Sequence, residues 1–372
     1  MKVLHLFGDW KWTGPSEPTL DLVAELRALG ADVTLACPRA PEDASTNLPA
    51  RARALGLEPD HSFALNRSFN LRDNLADIGR VREIADRRKL DVLHVHFTHD
   101  HIIGAMGARR AKHRPKVVRT NHKAAALPWY LRAWTDGYLT FSKDDLARER
   151  LTGPSRHINP GMRLDRFDPD TRLENMRERF DVAKDDFVVG VVARMQKHRR
   201  FDVLLAGVAK ARKRVPHLRV LVVGRGTHME QVAVRPATRL GLDRTVTFTG
   251  HVSAKAGAGA DPYPALVASF DALLYLVPGS DGTCRAIREA MAMGKPVIGA
   301  RRGLIPEFVE DGWNGFVIDD TPETIAASIE RLASDRALAR AMGRHGREKA
   351  LASYDIRRQA RDVLDFYRAL VR

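Results

Sequence analysis

Residues 187–215 read F-V-V-G-V-V-A-R-M-Q-K-H-R-R-F-D-V-L-L-A-G-V-A-K-A-R-K-R-V, and this stretch decides the fold class. Its first part, Phe187–Val192, is a short apolar run rich in β-branched residues, which is typical of a strand buried on both faces. Its second part, Phe201–Val215, places Leu204, Leu205 and Val208 at helical spacing. A buried strand followed by an amphipathic helix is the repeating unit of a parallel α/β sheet.

The same alternation of strand and helix extends outward through both halves of the chain. In the N-terminal half the predicted strands are Lys2–Phe7, Asp32–Cys37, Asp91–His96, Lys116–Thr120 and Gly137–Phe141, with helices at Leu20–Leu29, Leu71–Arg88 and Ile102–Lys112. In the C-terminal half the strands Leu218–Val223, Thr245–Thr249, Ala272–Leu276 and Pro296–Gly299 follow Phe187–Val192. The polar segment Asn159–Asp186 is predicted to link the halves. We therefore predict an α/β protein with domains at residues 1–168 and 169–353, followed by an amphipathic helix at 354–372.

The composition fits a two-domain intracellular protein. The chain has 372 residues, of which 44% are hydrophobic, and its only cysteines are Cys37 and Cys284. So few cysteines argue against a disulfide framework and fit a reducing cytoplasm. No apolar run approaches the ~18–20 residues that cross a bilayer, and the start is too short and strand-like for a signal peptide. We expect a cytoplasmic protein, with any membrane association peripheral at the inner face of the plasma membrane.

The net charge of +15 is high for an enzyme of small metabolites. One interpretation is a solvated surface in an arginine-rich protein. The other is a polyanionic partner, which would be a membrane, a phosphate-rich glycan or a nucleic acid. A basic cluster in the N-terminal half favours the second interpretation: Arg87, Arg88, Lys89, Arg109, Arg110, Lys112, Arg114 and Lys116. No aromatic residues interleave with this cluster, so we predict no nucleic-acid partner.

Two carboxylates flank a predicted helix start after the strand Ala272–Leu276. Asp281 follows a Pro-Gly turn, and Glu289 lies on a helix that we expect to begin at Thr283 and end at Gly294. The backbone N–H groups of residues 282–285 would then bind a phosphate or a developing negative charge. Taken alone, the spacing favours a capping aspartate and a surface glutamate.

The downstream sequence removes much of that ambiguity. From Glu289 the chain reads E-A-M-A-M-G-K-P-V-I, and G-L-I-P-E and E-D-G-W-N-G follow at Gly303 and Glu310. These motifs resemble the donor-binding signature of retaining GT-B glycosyltransferases of family GT4. The resemblance implies the GT-B fold: two Rossmann-like domains with a cleft between them, an N-terminal domain for the acceptor and a C-terminal domain for the donor. It also implies that the last helix crosses back to the N-terminal domain.

The resemblance assigns donor-binding roles in the C-terminal half. Glu289 would accept hydrogen bonds from the nucleotide ribose, and Asp281 stands where the family has a glutamate that contacts the donor sugar. Because aspartate is shorter by one methylene group, the resemblance does not identify the donor sugar. Arg194 and Arg199 would bind the donor diphosphate, Arg199 replacing the usual lysine. The remaining predicted donor-binding residues are Gly224, His251, Gly282, Thr283 and Cys284.

The N-terminal half resembles the family more loosely. Gly14, in G-D-W-K-W-T-G-P-S, stands in the family's glycine-rich turn and would let the backbone approach the sugar phosphate. His122 stands where the family has a histidine near the reacting sugar, and a neutral imidazole there would either donate a hydrogen bond to a sugar hydroxyl or assist proton movement. We predict Arg194, Arg199 and Asp281 as catalytic together with His122.

Four histidines, His94, His96, His99 and His101, also raise a metal interpretation. Their spacing mixes strand and loop, and only Asp100 adds a nearby acidic group. We predict no metal site and no cofactor, with the nucleotide sugar as substrate.

The predicted activity is transfer of a hexosyl group, with retention, from a nucleotide-diphosphate sugar to a saccharide or lipid-linked acceptor in cell-envelope glycan or glycolipid synthesis. Two alternatives stay open at this point. One is a sugar-nucleotide epimerase or phosphorylase of the same architecture, and the other is a non-catalytic glycosyltransferase-like binding protein.

Overall fold

The chain divides into two α/β units, each built on its own parallel sheet. The computed structural model describes residues 1–44, 47–66, 70–122, 126–149, 151, 153–171, 173–252, 261–279 and 283–372. The first unit comprises Met1–Arg163 and Tyr354–Arg372, and the second comprises Leu164–Ser353. The predicted boundary after residue 168 falls inside the second unit.

The first unit is built on a six-stranded parallel sheet. Its strands are β1 (Lys2–Leu6), β2 (Asp32–Ala36), β3 (Val92–Val95), β4 (Lys116–Asn121), β5 (Gly137–Thr140) and β6 (Ser155–His157), in the order β2-β1-β3-β4-β5-β6. Its helices include α1 (Ser16–Ala28), α2 (Leu48–Ala54), α3 (Leu71–Arg88), α4 (Thr98–Arg110), α5 (Trp129–Arg132) and α6 (Lys143–Arg148).

Side chains of β1 are buried on both faces of this sheet, as the apolar strands predict. Val3 packs in a cluster with residues of α1, whereas Leu4 and Leu6 pack in a separate cluster with residues of α3 and α4. Crossover helices cover both faces of a parallel sheet, so its strands are buried on both sides.

The second unit repeats the plan with another six-stranded parallel sheet. Its strands are β7 (Phe187–Val192), β8 (Leu218–Val223), β9 (Val246–Gly250), β10 (Ala272–Tyr275), β11 (Val297–Ala300) and β12 (Gly315–Ile318), in the order β12-β11-β10-β7-β8-β9. Its helices are α7 (Met176–Arg179), α8 (Phe201–Arg212), α9 (Arg235–Arg239), α10 (Pro262–Ala268), α11 (Arg285–Ala292), α12 (Ile305–Phe308), α13 (Pro322–Ser334) and α14 (Arg336–Ser353), with 3-10 turns at Leu164–Arg166 and Lys197–Arg199 and a π-helical turn at Glu230–Val234.

The segment predicted as a linker, Asn159–Asp186, has more structure than its polarity suggests. It contains the 3-10 turn Leu164–Arg166 and the helix α7. Phe167 and Met176 within it are buried. These apolar side chains make the segment part of the folded units.

The last helix, α15 (Ile356–Val371), belongs to the first unit and packs against α1. Val363, Leu364 and Tyr367 are buried on the same side of the sheet as Val3. The last helix packs closely on this face of the sheet, because a Cβ added at Gly137 in β5 would lie 2.8 Å from the ring of Phe366.

The glycine within β7 is required by packing. A Cβ added at Gly190 in β7 would lie 2.2 Å from the ring of Phe270. We expect Gly190→Ala to lower the free energy of unfolding by about 1–3 kcal/mol, because the ring has to shift in a close-packed core. Urea denaturation of the full chain measures this change.

Gly79→Ala is the matched control. Gly79 lies on the exposed side of α3, and an added Cβ there meets nothing within 4 Å. Alanine should therefore stabilise the protein by about 0.5–1 kcal/mol through its better helix propensity. Equal effects of the two substitutions would contradict the packing argument.

Candidate active site

The strand order of the second sheet creates a topological switch point between β7 and β10. From β7 the chain proceeds to β8 and β9 on one side, and then returns to β10 on the other side. In open parallel sheets, ligands bind beyond the carboxyl ends of the strands at such a point. The segments that follow β7, β8 and β10 carry most of the predicted donor-binding residues.

The backbone after β7 lies directly against the glycine turn after β8. A Cβ added at Gly224 would lie 2.3 Å from the carbonyl oxygen of Ala193. A Cβ added at Gly226 would lie 1.9 Å from the carbonyl oxygen of Met195. Gly224 also has a φ of +134°, which favours glycine. Arg194, between these two carbonyls, is exposed to solvent at this edge.

Arg199 bridges the switch point. Its Nη1 donates hydrogen bonds to the backbone carbonyl oxygens of Val277 (2.9 Å) and Pro278 (2.6 Å), which follow β10. The side chain is buried, and its Nε has no hydrogen-bond partner among the described residues. These contacts fix the guanidinium between the segments after β7 and β10.

The helix that follows β10 begins later than the sequence suggested. We expected it to start at Thr283, but α11 starts at Arg285, because Cys284 has the left-handed φ of +48°. Thr283 and Cys284 are fully buried. Asp281 and Gly282 lie outside the described residues.

Arg288 on α11 was not predicted from the sequence and contacts this turn. It is fully buried, and its Nε donates to the carbonyl oxygen of Thr283 at 3.3 Å. The sequence signal was a charged residue on the buried face of a short helix, a position that favours apolar side chains.

Glu289, one residue further along α11, has both carboxylate oxygens engaged. Tyr263 donates its hydroxyl to Oε2 at 2.7 Å, and Arg285 pairs with Oε1 at 3.2 Å. Glu289 is buried, so these partners orient the carboxylate. Tyr263 lies on α10 and was also not predicted.

His251 is the most peripheral of the predicted donor-binding residues in this sheet. It is exposed and follows β9. The carbonyl oxygen of Gly250 accepts a hydrogen bond from the backbone N–H of Gly224 at 2.9 Å. This bond places the start of the segment after β9 beside the glycine turn after β8.

In the first unit, Gly14 lies in a turn closed by hydrogen bonds ahead of α1. The Ser16 hydroxyl donates to the carbonyl oxygen of Lys11 at 2.8 Å and accepts from the backbone N–H of Thr13 at 3.0 Å. Gly8, at the start of the turn, donates its N–H to the buried Asp100 at 2.9 Å. The turn follows β1, at the switch point between β1 and β3 of this sheet.

His122 follows β4 at the same edge of the first sheet and is buried. Its Nε2 lies 3.0 Å from Nδ1 of His96, whose Nε2 lies 3.0 Å from Nδ1 of His5. Burial lowers the pKa of both His5 and His122 to about 3. His122 is therefore a neutral imidazole at physiological pH.

The four histidines considered as a metal site do not converge on one point. His101 lies on α4 and contacts the hydroxyl of Thr135 at 3.2 Å. A different trio, His5, His94 and His96, has ring nitrogens within 4.8 Å of one another. Neutral imidazoles suit divalent metals, but the nitrogens of this trio already form hydrogen bonds with one another and with neighbouring residues.

The two halves of the chain match two family models. The model described as "Glycosyltransferase Family 4" matches residues 14–157, and the model described as "Glycosyl transferases group 1" matches residues 186–335.

Relatives in sequence carry glycosyltransferase names. The EpsD protein of Bacillus subtilis, named as a glycosyltransferase, is 26% identical over 83% of this chain and 84% of its own length. A GDP-mannose-dependent α-(1-6)-phosphatidylinositol monomannoside mannosyltransferase of Mycolicibacterium smegmatis is 35% identical over 219 residues, which cover 55% of this chain. The alignment spans about half of that mannosyltransferase, 54% of its length.

Solved structures show the same fold over the whole chain. A glycosyltransferase from Rickettsia africae superposes with a TM-score of 0.84 at 18% identity, covering 100% of this chain and 98% of that one. Anabaena HepE in complex with UDP superposes with a TM-score of 0.81 at 20% identity, covering 99% and 100%.

These similarities and the two parallel α/β units define the chain as a glycosyltransferase with the GT-B fold. Among glycosyltransferases, it belongs to the GT4 family.

The buried histidines make stability depend on pH. Burial lowers the pKa of His5 to about 3, whereas an unfolded histidine titrates near 6.5. Between these values the unfolded state binds more protons, so His5 supports the fold fully above pH ~6.5 and less as the pH falls towards 3. We expect His5→Asn to reduce the slope of unfolding free energy against pH by up to about 1.4 kcal/mol per pH unit between about pH 6 and 4.

Urea titrations at several pH values measure this slope. His113→Asn is the control, because His113 is exposed and its substitution should leave the slope as in the wild type. A slope for His5→Asn equal to that of the wild type would contradict the buried, neutral state of His5.

Proposed function

We propose that this glycosyltransferase moves a hexosyl group, with retention of configuration, from a nucleotide-diphosphate sugar to a saccharide or lipid-linked acceptor in cell-envelope glycan or glycolipid synthesis. The observation that carries the proposal is the pair Arg194 and Arg199 at the switch point of the second sheet. Arg199 is fixed by two backbone carbonyls, whereas Arg194 is exposed beside the glycine turn. Two guanidinium groups at a predicted ligand position suit a diphosphate.

The arginines would contribute most when the bond to the donor sugar breaks. Negative charge then develops on the leaving nucleoside diphosphate, and fixed positive charges stabilise it without reorganisation. Arg199 is already oriented by its carbonyl contacts, so little of this stabilisation is lost in ordering the side chain. We propose that these cations take the role that a metal ion has in other nucleotide-sugar enzymes, and that the reaction uses no cofactor.

Glu289 would hold the nucleotide by accepting hydrogen bonds from ribose hydroxyls. Tyr263 and Arg285 orient its carboxylate in advance, and each carboxylate oxygen can accept more than one hydrogen bond. The buried turn at Thr283 and Cys284 would lie next to the donor, with Asp281 and Gly282 as further contacts. Gly224 and His251 would border the nucleotide side of the same edge.

The first unit would bind the acceptor. His122 follows β4, at the same edge of the sheet as Gly14 after β1, where Gly14 would let the backbone approach the sugar phosphate of the donor. A neutral His122 has a lone pair that can accept a proton or hydrogen bond from a sugar hydroxyl. The relatives support these substrate classes, because one is named for GDP-mannose and a phosphatidylinositol mannoside and HepE was crystallised with UDP.

We further propose that the basic cluster docks on an anionic membrane, where a lipid-linked acceptor would be found. Arg109 donates to the carbonyl oxygen of Ala133 and lies over the ring of Trp134, which places the end of α4 beside the segment after α5. On α5, Trp129 is 80% exposed. Exposed tryptophan beside basic residues is typical of a surface that binds a membrane interface. No helix among the described residues is long and apolar enough to span a bilayer.

Arg194→Ala tests the donor site. Arg194 forms no hydrogen bond with any described residue, so its loss should leave stability unchanged while costing about 2–4 kcal/mol in kcat/KM for transfer. The donor is found first by thermal shift with UDP-, GDP- and ADP-sugars, because a bound ligand raises Tm. Product analysis with and without acceptor then separates transfer from epimerisation.

Lys213→Ala is the control, because Lys213 is an exposed cation just beyond the other end of α8, roughly 18 Å along the helix. Its kcat/KM should equal that of the wild type. The donor-site proposal is wrong if Arg194→Ala transfers sugar at the wild-type rate, or if no nucleotide sugar shifts Tm and none is consumed.

Co-sedimentation with phosphatidylcholine vesicles, with and without phosphatidylglycerol, tests membrane docking. We expect binding only to the anionic vesicles, decreasing with salt. The double substitution Arg110→Glu and Arg114→Glu should weaken it at least about tenfold, since each basic side chain near the surface contributes about 1 kcal/mol. The charge-matched pair Lys213→Glu and Arg239→Glu, both exposed in the second unit, should have little effect. Equal losses of vesicle binding for the two pairs would mean that the binding is non-specific charge attraction, and the docking proposal would be wrong.

A further inference from the structure

A continuous line of buried polar groups connects His122 to the last helix of the first unit. From His122 the line passes to His96 and His5, both through contacts of 3.0 Å. It continues from Nε2 of His5 to the hydroxyl of Tyr367 at 3.4 Å, from that hydroxyl to Nδ1 of His94, and from Nε2 of His94 to the hydroxyl of Thr120 at 2.6 Å. We call these six side chains the histidine line.

Every ring in the histidine line is neutral. Burial is the main cause that lowers the pKa of His5 and His122 to about 3 and that of His94 and His96 well below the usual value. A neutral imidazole has one N–H donor and one lone-pair acceptor. Each ring must therefore donate on one side and accept on the other.

This restriction leaves two arrangements in which every contact of the line is a hydrogen bond and the Tyr367 proton is itself donated within the line. If Tyr367 donates to His94, then His5 donates from Nε2 to Tyr367, His96 donates from Nε2 to His5, and His122 donates from Nε2 to His96. His94 then donates from Nε2 to Thr120. All four rings are Nε2–H tautomers, and Nδ1 of His122 carries a lone pair.

If Tyr367 instead donates to His5, every bond reverses. All four rings become Nδ1–H tautomers, and His122 presents an N–H group at Nδ1. The two arrangements contain the same number of protons, so they differ only in which nitrogen carries each proton and in how the hydroxyls point.

Distance selects the first arrangement. The Tyr367 hydroxyl lies closer to His94 than to His5, from which it is 3.4 Å away, and its single proton forms the stronger bond with the nearer acceptor. Nδ1 of His122 is itself buried and has no hydrogen-bond partner among the described residues. Its lone pair is therefore not used by any described residue.

We propose that Tyr367, His5 and His96 are positioning residues that hold His122 as the Nε2–H tautomer, so that its Nδ1 presents a lone pair to a hydroxyl group of the bound acceptor sugar. This inference rests on the proposed role of His122. It adds that the state of His122 is set three hydrogen bonds away, by a hydroxyl on the C-terminal helix.

The tautomers are observable by long-range ¹H–¹⁵N correlation NMR of the full chain labelled with ¹⁵N-histidine, because protonated and unprotonated ring nitrogens resonate far apart. His122→Gln and His96→Gln identify the relevant signals. The wild type should show His5, His94, His96 and His122 all as Nε2–H tautomers. A wild-type His122 in the Nδ1–H form, or a line of mixed tautomers, overturns the proposal without any variant, as does a stoichiometric metal ion bound by these rings.

Tyr367→Phe tests whether the hydroxyl of Tyr367 sets the tautomer of His122. Without the hydroxyl, His5 loses the partner for its Nε2–H group, so we expect His122 to shift from the Nε2–H form to a mixture containing the Nδ1–H form. In transfer assays kcat should fall about tenfold or more, with KM for the donor unchanged. Tyr138→Phe is the control, because Tyr138 is equally buried but bonds Asp145 and Asn121 instead of the line.

The readouts separate this inference from the proposed function. If Tyr367→Phe shifts the His122 tautomer but the wild type has no transferase activity, the role of the histidine line is supported and the proposed reaction is wrong. If the wild type is an active transferase but Tyr367→Phe leaves the His122 tautomer unchanged, the proposed reaction is supported and the role of the histidine line is wrong. An equal tautomer shift in Tyr138→Phe would show general loosening of the sheet and also overturn the inference.

Discussion

Parallel strand pairing is the constraint on which both units depend. Parallel neighbours cannot be joined by a tight turn, so each connection has to cross a face of the sheet. The crossings bury both faces, as the clusters on the two sides of β1 show. They also bring the carboxyl ends of the strands to one edge, where segments distant in sequence meet. The contacts of Arg199 with the carbonyls of Val277 and Pro278 follow directly from this geometry.

Local pattern was sufficient to predict several apolar or clearly periodic elements, although β12, G-F-V-I, was not predicted. β7, β8 and α3 have the bounds predicted from the sequence. A short run of β-branched residues such as V-V-G-V-V favours a strand buried on both faces. β6 was missed, since its three residues, S-R-H, lie on a sheet edge and carry no hydrophobic signal. The start of α11 was misplaced because the left-handed conformation of Cys284 is unusual for a residue other than glycine.

The site was predictable as a set of segments, but the contacts within it were not. Family resemblance indicated Glu289 and the two arginines, yet nothing in the local sequence identifies Tyr263 as a partner of Glu289 across 26 residues. The histidine line is more remote still, since Tyr367 and His5 lie at opposite ends of the chain. Their contact exists because the last helix packs on the first sheet. Pairings of this kind are set by tertiary packing, which a single sequence does not encode in any local pattern.

The two units offer different polar groups for the proposed reaction, and the proposed chemistry explains why. A departing diphosphate needs permanent positive charge, which a guanidinium supplies at any physiological pH. The acceptor hydroxyl needs a lone pair, which a protonated histidine lacks, so the low pKa of His122 keeps that lone pair available. A base with so low a pKa does not retain a proton. In the proposed reaction His122 therefore orients the hydroxyl through a hydrogen bond, and the proton moves to the diphosphate oxygen as the new bond forms.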